Sequence, residues 1–152
     1  MQYHHMKALV LDSDVLVAAF RSDRGASRVL LEWARARRFE LLLSVPLVLE
    51  YEAVLTRTEN LVASRVDRDE VSALLDELAS VCRRVEIVIR SRPTLSDPDD
   101  EMVLETAING SADAIVTFNE RDFKAVASKW SCAVMRPQEI IRKLYVERSN
   151  WK

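Results

Sequence analysis

Glycine is nearly absent: the 152-residue chain has two, Gly25 and Gly110. A phosphate-cradling P-loop or a GxGxxG dinucleotide turn needs closely spaced glycines to bring backbone against phosphate, so neither can be built here. Cysteine is equally scarce. Cys82 and Cys132 stand fifty residues apart, which makes neither a metal knuckle nor a disulfide framework and implies reduced thiols in a cytoplasmic protein. The two histidines, His4 and His5, are neighbours, so a Ser–His or Cys–His relay is implausible. They precede the first predicted strand, and residues 1–6 read as a flexible arm or a cloning remnant rather than a metal site. No apolar run reaches the roughly 18 residues of a membrane span, and no secretory signal opens the chain. An excess of positive charge is missing too. With 22 basic and 24 acidic residues the net charge is -2, which excludes nucleic-acid binding by bulk charge alone.

What is present is globular composition, 49% hydrophobic and 30% charged, in a chain long enough for one ordinary domain. The basic residues are unevenly chosen: 17 of the 22 are arginine. Six of these, Arg21, Arg24, Arg28, Arg35, Arg37 and Arg38, crowd one segment. They form either a solvated helix face or a local basic rim suited to phosphate.

Hydrophobic periodicity predicts strands at 7–11, 39–43, 84–89, 113–117 and 131–135. Helices are predicted at 14–20, 26–38, 44–55, 67–82, 97–109, 120–127 and 137–147. Ser44 with Pro46 in the first turn marks one helix start, and acidic residues crowd the first turn of the helix at 67. Continuous apolar strands alternating with helices imply a five-stranded, mostly parallel sheet covered on both faces. The expected fold is therefore a three-layer α/β/α sandwich, forming a single domain over residues 7–147.

Parallel topology gathers the strand exits on one side of the sheet, where ligands bind in open α/β folds. Asp12 ends the first strand, Glu50 follows the second, Asp100 the third, and Asn119 and Asp122 the fourth. Carboxylates so gathered repel one another unless cations neutralise them. All-oxygen ligands suit Mg2+ or Mn2+, and the matching chemistry is metal-assisted phosphodiester hydrolysis. Each acid also has a structural reading: Asp12, Asp14, Asp97, Asp99, Asp100 and Asp122 all stand where a carboxylate caps a helix or complements its dipole.

Three phosphate-handling families share parts of this pattern. LVLDSDVLV is similar to the Asp-x-Asp segment of the haloacid dehalogenase phosphatases, but Val15 replaces their usual glycine and no lysine lies between Lys7 and Lys124. A response-regulator receiver would need an aspartate ending the third strand and a lysine ending the fifth, whereas Arg90 and Arg136 stand there. The ordered strings LVLDSDVLVAAF, SVPLVLEYEAVL, DPDDEMVLETA and DAIVTFNERDF together resemble the PIN-domain family, specifically its small prokaryotic, VapC-like toxin components of toxin–antitoxin systems.

That resemblance implies a divalent-metal-dependent endoribonuclease of the α/β/α kind. Asp12, Glu50, Asp100 and Asp122 are then the metal-binding and catalytic acids, with Ser13, Asp14, Thr117 and Asn119 supporting. The fourth acid is ambiguous, because many relatives carry aspartate where this chain has Asn119; Asp14 stands where relatives mostly carry asparagine. The resemblance further implies an RNA substrate, a cognate antitoxin that covers the groove, and a homodimer. Arg21, Arg24 and Arg28 are candidate contacts to RNA phosphates. The alternative expectation is a catalytically weak PIN-fold module that binds RNA or protein.

Overall fold

Short runs, apolar in four of the five strands, form the middle layer. The computed structural model describes residues 7–90 and 98–149, so His4, His5 and Asp97 lie outside the described residues. Five parallel strands, β1 (Ala8–Leu11), β2 (Glu40–Leu43), β3 (Arg83–Arg84), β4 (Ala114–Val116) and β5 (Ala133–Met135), lie in the order β3-β2-β1-β4-β5. Between and after them run α1 (Ser13–Arg21), α2 (Ala26–Arg35), α3 (Val45–Leu55), α4 (Thr58–Ser64), α5 (Arg68–Val81), α6 (Pro98–Gly110), α7 (Glu120–Ala127) and α8 (Pro137–Ser149).

The chain steps outward from β1 to β3, then jumps back to β4 and steps the other way. Right-handed crossovers therefore lay the helices on opposite faces before and after the jump. The result is the expected α/β/α sandwich. Leu9, Val10, Leu42, Ile115 and Val116 are fully buried at its centre. The strand order reverses beside β1, so the carboxyl ends of β1 and β4 open a crevice between them.

Local chemistry sets the helix starts. Ser44 accepts the amide of Leu47 at 3.3 Å, with proline in the first turn of α3. Asp67 and Glu70 form a reciprocal capping box on α5, which aligns that helix without tertiary help. Gly110, which closes α6, is required by close approach: a Cβ there would lie 2.7 Å from Leu42 Cδ1 and 2.9 Å from Val85 Cγ2.

Two expectations need correction. The strand expected at 84–89 is only Arg83–Arg84. Val85 still donates to Leu43, but β2 ends there and Ser44 turns the chain into α3. With no ladder left to join, the amides of Val88 and Ile89 donate instead to Asn109 Oδ1, at 2.9 and 2.7 Å. The second correction is α4, whose seven residues lie in a stretch given no helix by the periodicity. Among the described residues, no helix is long and apolar enough to cross a membrane. Cys82 and Cys132 are free thiols.

Candidate functional site

Asp12 is the last residue out of β1, and its two carboxylate oxygens have different partners. Oδ1 accepts the amide of Ser13 at 2.8 Å, capping α1, while Oδ2 accepts the buried hydroxyl of Thr117 at 2.8 Å. The capping reading of Asp12 therefore holds for one oxygen. The other ties the exit of β1 to the exit of β4. Thr117 in turn accepts the amide of Asn119 at 2.9 Å. Beneath them Tyr51, buried on α3, donates its hydroxyl to the carbonyl of Leu11. Burial, with the charges of Asp12 and Asp14 adding to it, holds that phenol well above its ordinary range.

Asp14 is the unusual carboxylate. Its Oδ2 accepts the amide of Phe118 at 3.1 Å, yet its Oδ1 is buried with no hydrogen-bond partner among the described residues. Burial chiefly, and then the charge of Asp12, push its carboxyl up to about 7. An orphaned carboxylate oxygen beside a second carboxylate is a local excess of negative potential, which a hard cation would relieve.

A cleft of about 290 Å³ gathers Asp12, Ser13 and Asp14 with Asp99 and Asp100 of α6, Asn119 before α7, and Val54, Arg57 and Asn60 around the α3–α4 corner. Asp100 is buried at 6% exposure. Asn119 occupies the N-cap position of α7 but makes no side-chain capping bond. Glu50 is half-buried one turn before Val54 on α3, and Asp122 is exposed in the first turn of α7; neither is among the cleft-lining residues.

Among the described residues, no three acidic, histidine or cysteine side chains stand close enough to hold an ion by themselves. Mg2+ commonly takes one or two carboxylates and keeps several waters. The Asp12–Asp14 pair, with acids of α6 across the same cleft, fits that kind of ion rather than a closed protein cage.

The arginines divide. Arg21 Nη2 donates to Asn60 Oδ1 at 2.7 Å, which brings it to the cleft's edge. Arg24 is exposed in the loop before α2. Arg28 pairs with Glu32 one turn along α2, at 3.2 Å, and lines a different groove with Arg35, Glu70 and Glu77. Arg35 pairs with Glu77, and Arg38 lies over the ring of Trp33. Arg21 and Arg35 thus tie α1 to α4 and α2 to α5.

Sequence reading missed Tyr51, Arg57 and Asn60, and credited Asp99 only with a helix-end role. Tyr51, next to Glu50, carried a signal: a tyrosine on the buried stripe of a helix needs an acceptor for its hydroxyl. Arg57 and Asn60 carried none, because they reach the cleft only through α4.

The family model described as "PIN domain" matches residues 8–121. No curated protein sequence matches closely enough to count as a relative. Among solved structures, the chain is similar to VapBC2 from Rickettsia felis, determined bound to a DNA fragment from their promoter. The TM-score is 0.57 at 14% identity, over 84% of this chain and 96% of that one.

Proposed function

Because this chain belongs to the PIN-domain family, whose members are in general nucleases, we propose that it is a divalent-metal-dependent endoribonuclease and the VapC-like toxin of a toxin–antitoxin pair. The observation that carries this reading is the Asp12–Asp14 pair at the strand-order reversal, with a buried, unpartnered oxygen on Asp14 and Asp99 and Asp100 in the same cleft. The Asp12–Asp14 pair would hold Mg2+ or Mn2+, with Asp100 across the cleft, Glu50 one turn from it and Asp122 as the candidate further acids. When bound, such an ion supplies an activated water and neutralises charge on the scissile phosphate.

The chain's own residues do the positioning. Thr117 holds Asp12 in one orientation, and Tyr51 holds the strand end from which Asp12 projects. Asn119, with its side chain free of a cap, offers an amide to water or substrate. Phe118 is 39% exposed beside Asp14. An exposed aromatic ring is a surface on which an unpaired base can stack, and with the sequence resemblance it supports single-stranded or looped RNA as substrate. An antitoxin partner is supported by the sequence resemblance and by the likeness in fold to VapBC2.

Cleavage of a labelled single-stranded RNA with Mn2+, with and without chelator, tests the proposal. Activity should vanish in chelator and in Asp12→Asn, which keeps a good helix cap. Full activity in chelator would overturn the metal-dependent reading.

The second reading, a catalytically weak binding module, is favoured by one observation: Asn119 puts an amide in the cleft, and Asp122 does not line it. No cleavage with any divalent ion would select that reading.

A further inference from the structure

Arg57 lines the same cleft as four carboxylates, and its side chain is exposed. Four arginines elsewhere, Arg28, Arg35, Arg83 and Arg136, each pair with a glutamate. The guanidinium of Arg57 makes no ion pair with any described residue. Its backbone, by contrast, is pinned. The carbonyl of Val54 accepts the Arg57 amide at 3.3 Å and Asn60 Nδ2 at 2.7 Å. The carbonyl of Arg57 accepts the amides of Asn60 and Leu61 at 2.9 and 3.0 Å. Asn60 is 8% exposed and is itself held by Arg21. A fixed root carrying a guanidinium unpaired among the described residues, on a residue that lines a polar cleft, is the form of an anion-binding arm.

The charge balance calls for such an arm. The carboxylates gathered in the cleft oppose an approaching RNA strand until a divalent ion binds, and the chain as a whole, at net charge -2, supplies no bulk attraction. A cation within a Debye length of the acids offsets that repulsion where the strand must lie. Guanidinium matches phosphate with two parallel hydrogen bonds, which fixes orientation as well as position.

We propose that Arg57, rooted by Asn60, grips a backbone phosphate of the RNA strand adjacent to the one presented to the carboxylates. This rests on reading the cleft as a nuclease site. Arg57 is then the main determinant of substrate affinity, while the acids determine turnover.

The test combines cleavage kinetics of a labelled single-stranded RNA in Mn2+ with binding of the same RNA to Asp12→Asn protein over a range of salt. Arg57→Ala should raise KM about tenfold or more. In the Asp12→Asn background it should lower the slope of log affinity against log salt by about 0.7, the value for one phosphate contact on a single strand. Arg57→Lys should keep the salt slope and recover part of the affinity. Cleavage by the wild type with KM and salt slope unchanged in Arg57→Ala would overturn the phosphate grip alone. So would tighter Mn2+ binding by Arg57→Ala with RNA affinity intact, which would make Arg57 a counter-ion to the acids. Arg57-dependent RNA binding without cleavage under any divalent ion would refute the nuclease reading and leave the grip standing.

Discussion

Thr117→Val replaces a hydroxyl by a methyl of nearly the same shape, and so removes the bond that joins the two strand exits. Thr117 is fully buried, and its hydroxyl reaches Asp12 Oδ2 at 2.8 Å. Hydrogen bonds to charged groups contribute about 1.5–3 kcal/mol, and a buried carboxylate left without its donor loses that amount or more. The hydroxyl also lies 3.5 Å from Asp14 Oδ2, which keeps the Phe118 amide, and it accepts at 2.9 Å the amide of Asn119, an exposed residue whose amide finds water instead. The expected loss is therefore about 2 kcal/mol, or roughly 4–8 °C in Tm for a chain of this size. Thr117→Ser keeps the hydroxyl and gives up one buried methyl, about 1 kcal/mol. Urea unfolding in chelator should rank wild type above Thr117→Ser and Thr117→Ser above Thr117→Val. Cleavage should stay close to wild type in the serine variant and fall at least tenfold in the valine variant. If valine proves as stable and as active as serine, the hydroxyl–carboxylate bond carries neither the fold nor the orientation of Asp12, and the argument from it collapses.

In chelator, Asp14 should give stability a negative dependence on pH. Its folded value of about 7 lies above the unfolded 3.8, so the native chain retains a proton that the unfolded chain has lost. The associated stability is full below about pH 4 and is gone as pH rises through 7. Asp14→Asn should flatten that slope, as read from urea midpoints between pH 4 and 8, and an unchanged slope would assign the proton to another group. Gly110→Ala should cost about 1–3 kcal/mol through overpacking against Leu42 and Val85; a neutral effect in thermal unfolding would show that those side chains yield. For the fourth acid, calorimetric titration with Mn2+ decides. Asp122→Asn should weaken binding if Asp122 joins the site, and an unchanged isotherm removes it, leaving Asn119→Asp as the substitution expected to tighten binding.

The sheet and the strand exits were legible because they depend on local pattern and on a topological rule. Apolar runs closed by Asp12, Ser44 and Thr117 stand at the ends of β1, β2 and β4, and parallel order gathers those ends whatever the packing details. The start of α5 was legible for a similar reason, since Asp67 and Glu70 satisfy each other within four residues. The length of β3 was not, because it depends on where its partner β2 stops and on Asn109, some twenty residues away, capturing the amides that follow. The cleft's far wall was hidden for the same cause. Asn60 bonds back to Val54 and across to Arg21, a pairing of remote residues that no periodicity encodes. The arginine segment was legible only in part: Arg28 and Glu32 stand at i and i+4, a spacing that already favours an ion pair on a helix.

An open sheet exposes two free borders, and a free border can recruit a stray strand from a neighbouring chain. On the β3 side this risk is small, and the brevity of β3 is the reason. An incoming strand finds two residues of ladder before the backbone leaves for Asn109. Both residues are exposed arginines, one of them held by Glu40. So short and so charged a border offers little template for edge-to-edge growth. Among the described residues, self-association through continuous sheet extension is therefore disfavoured on this side.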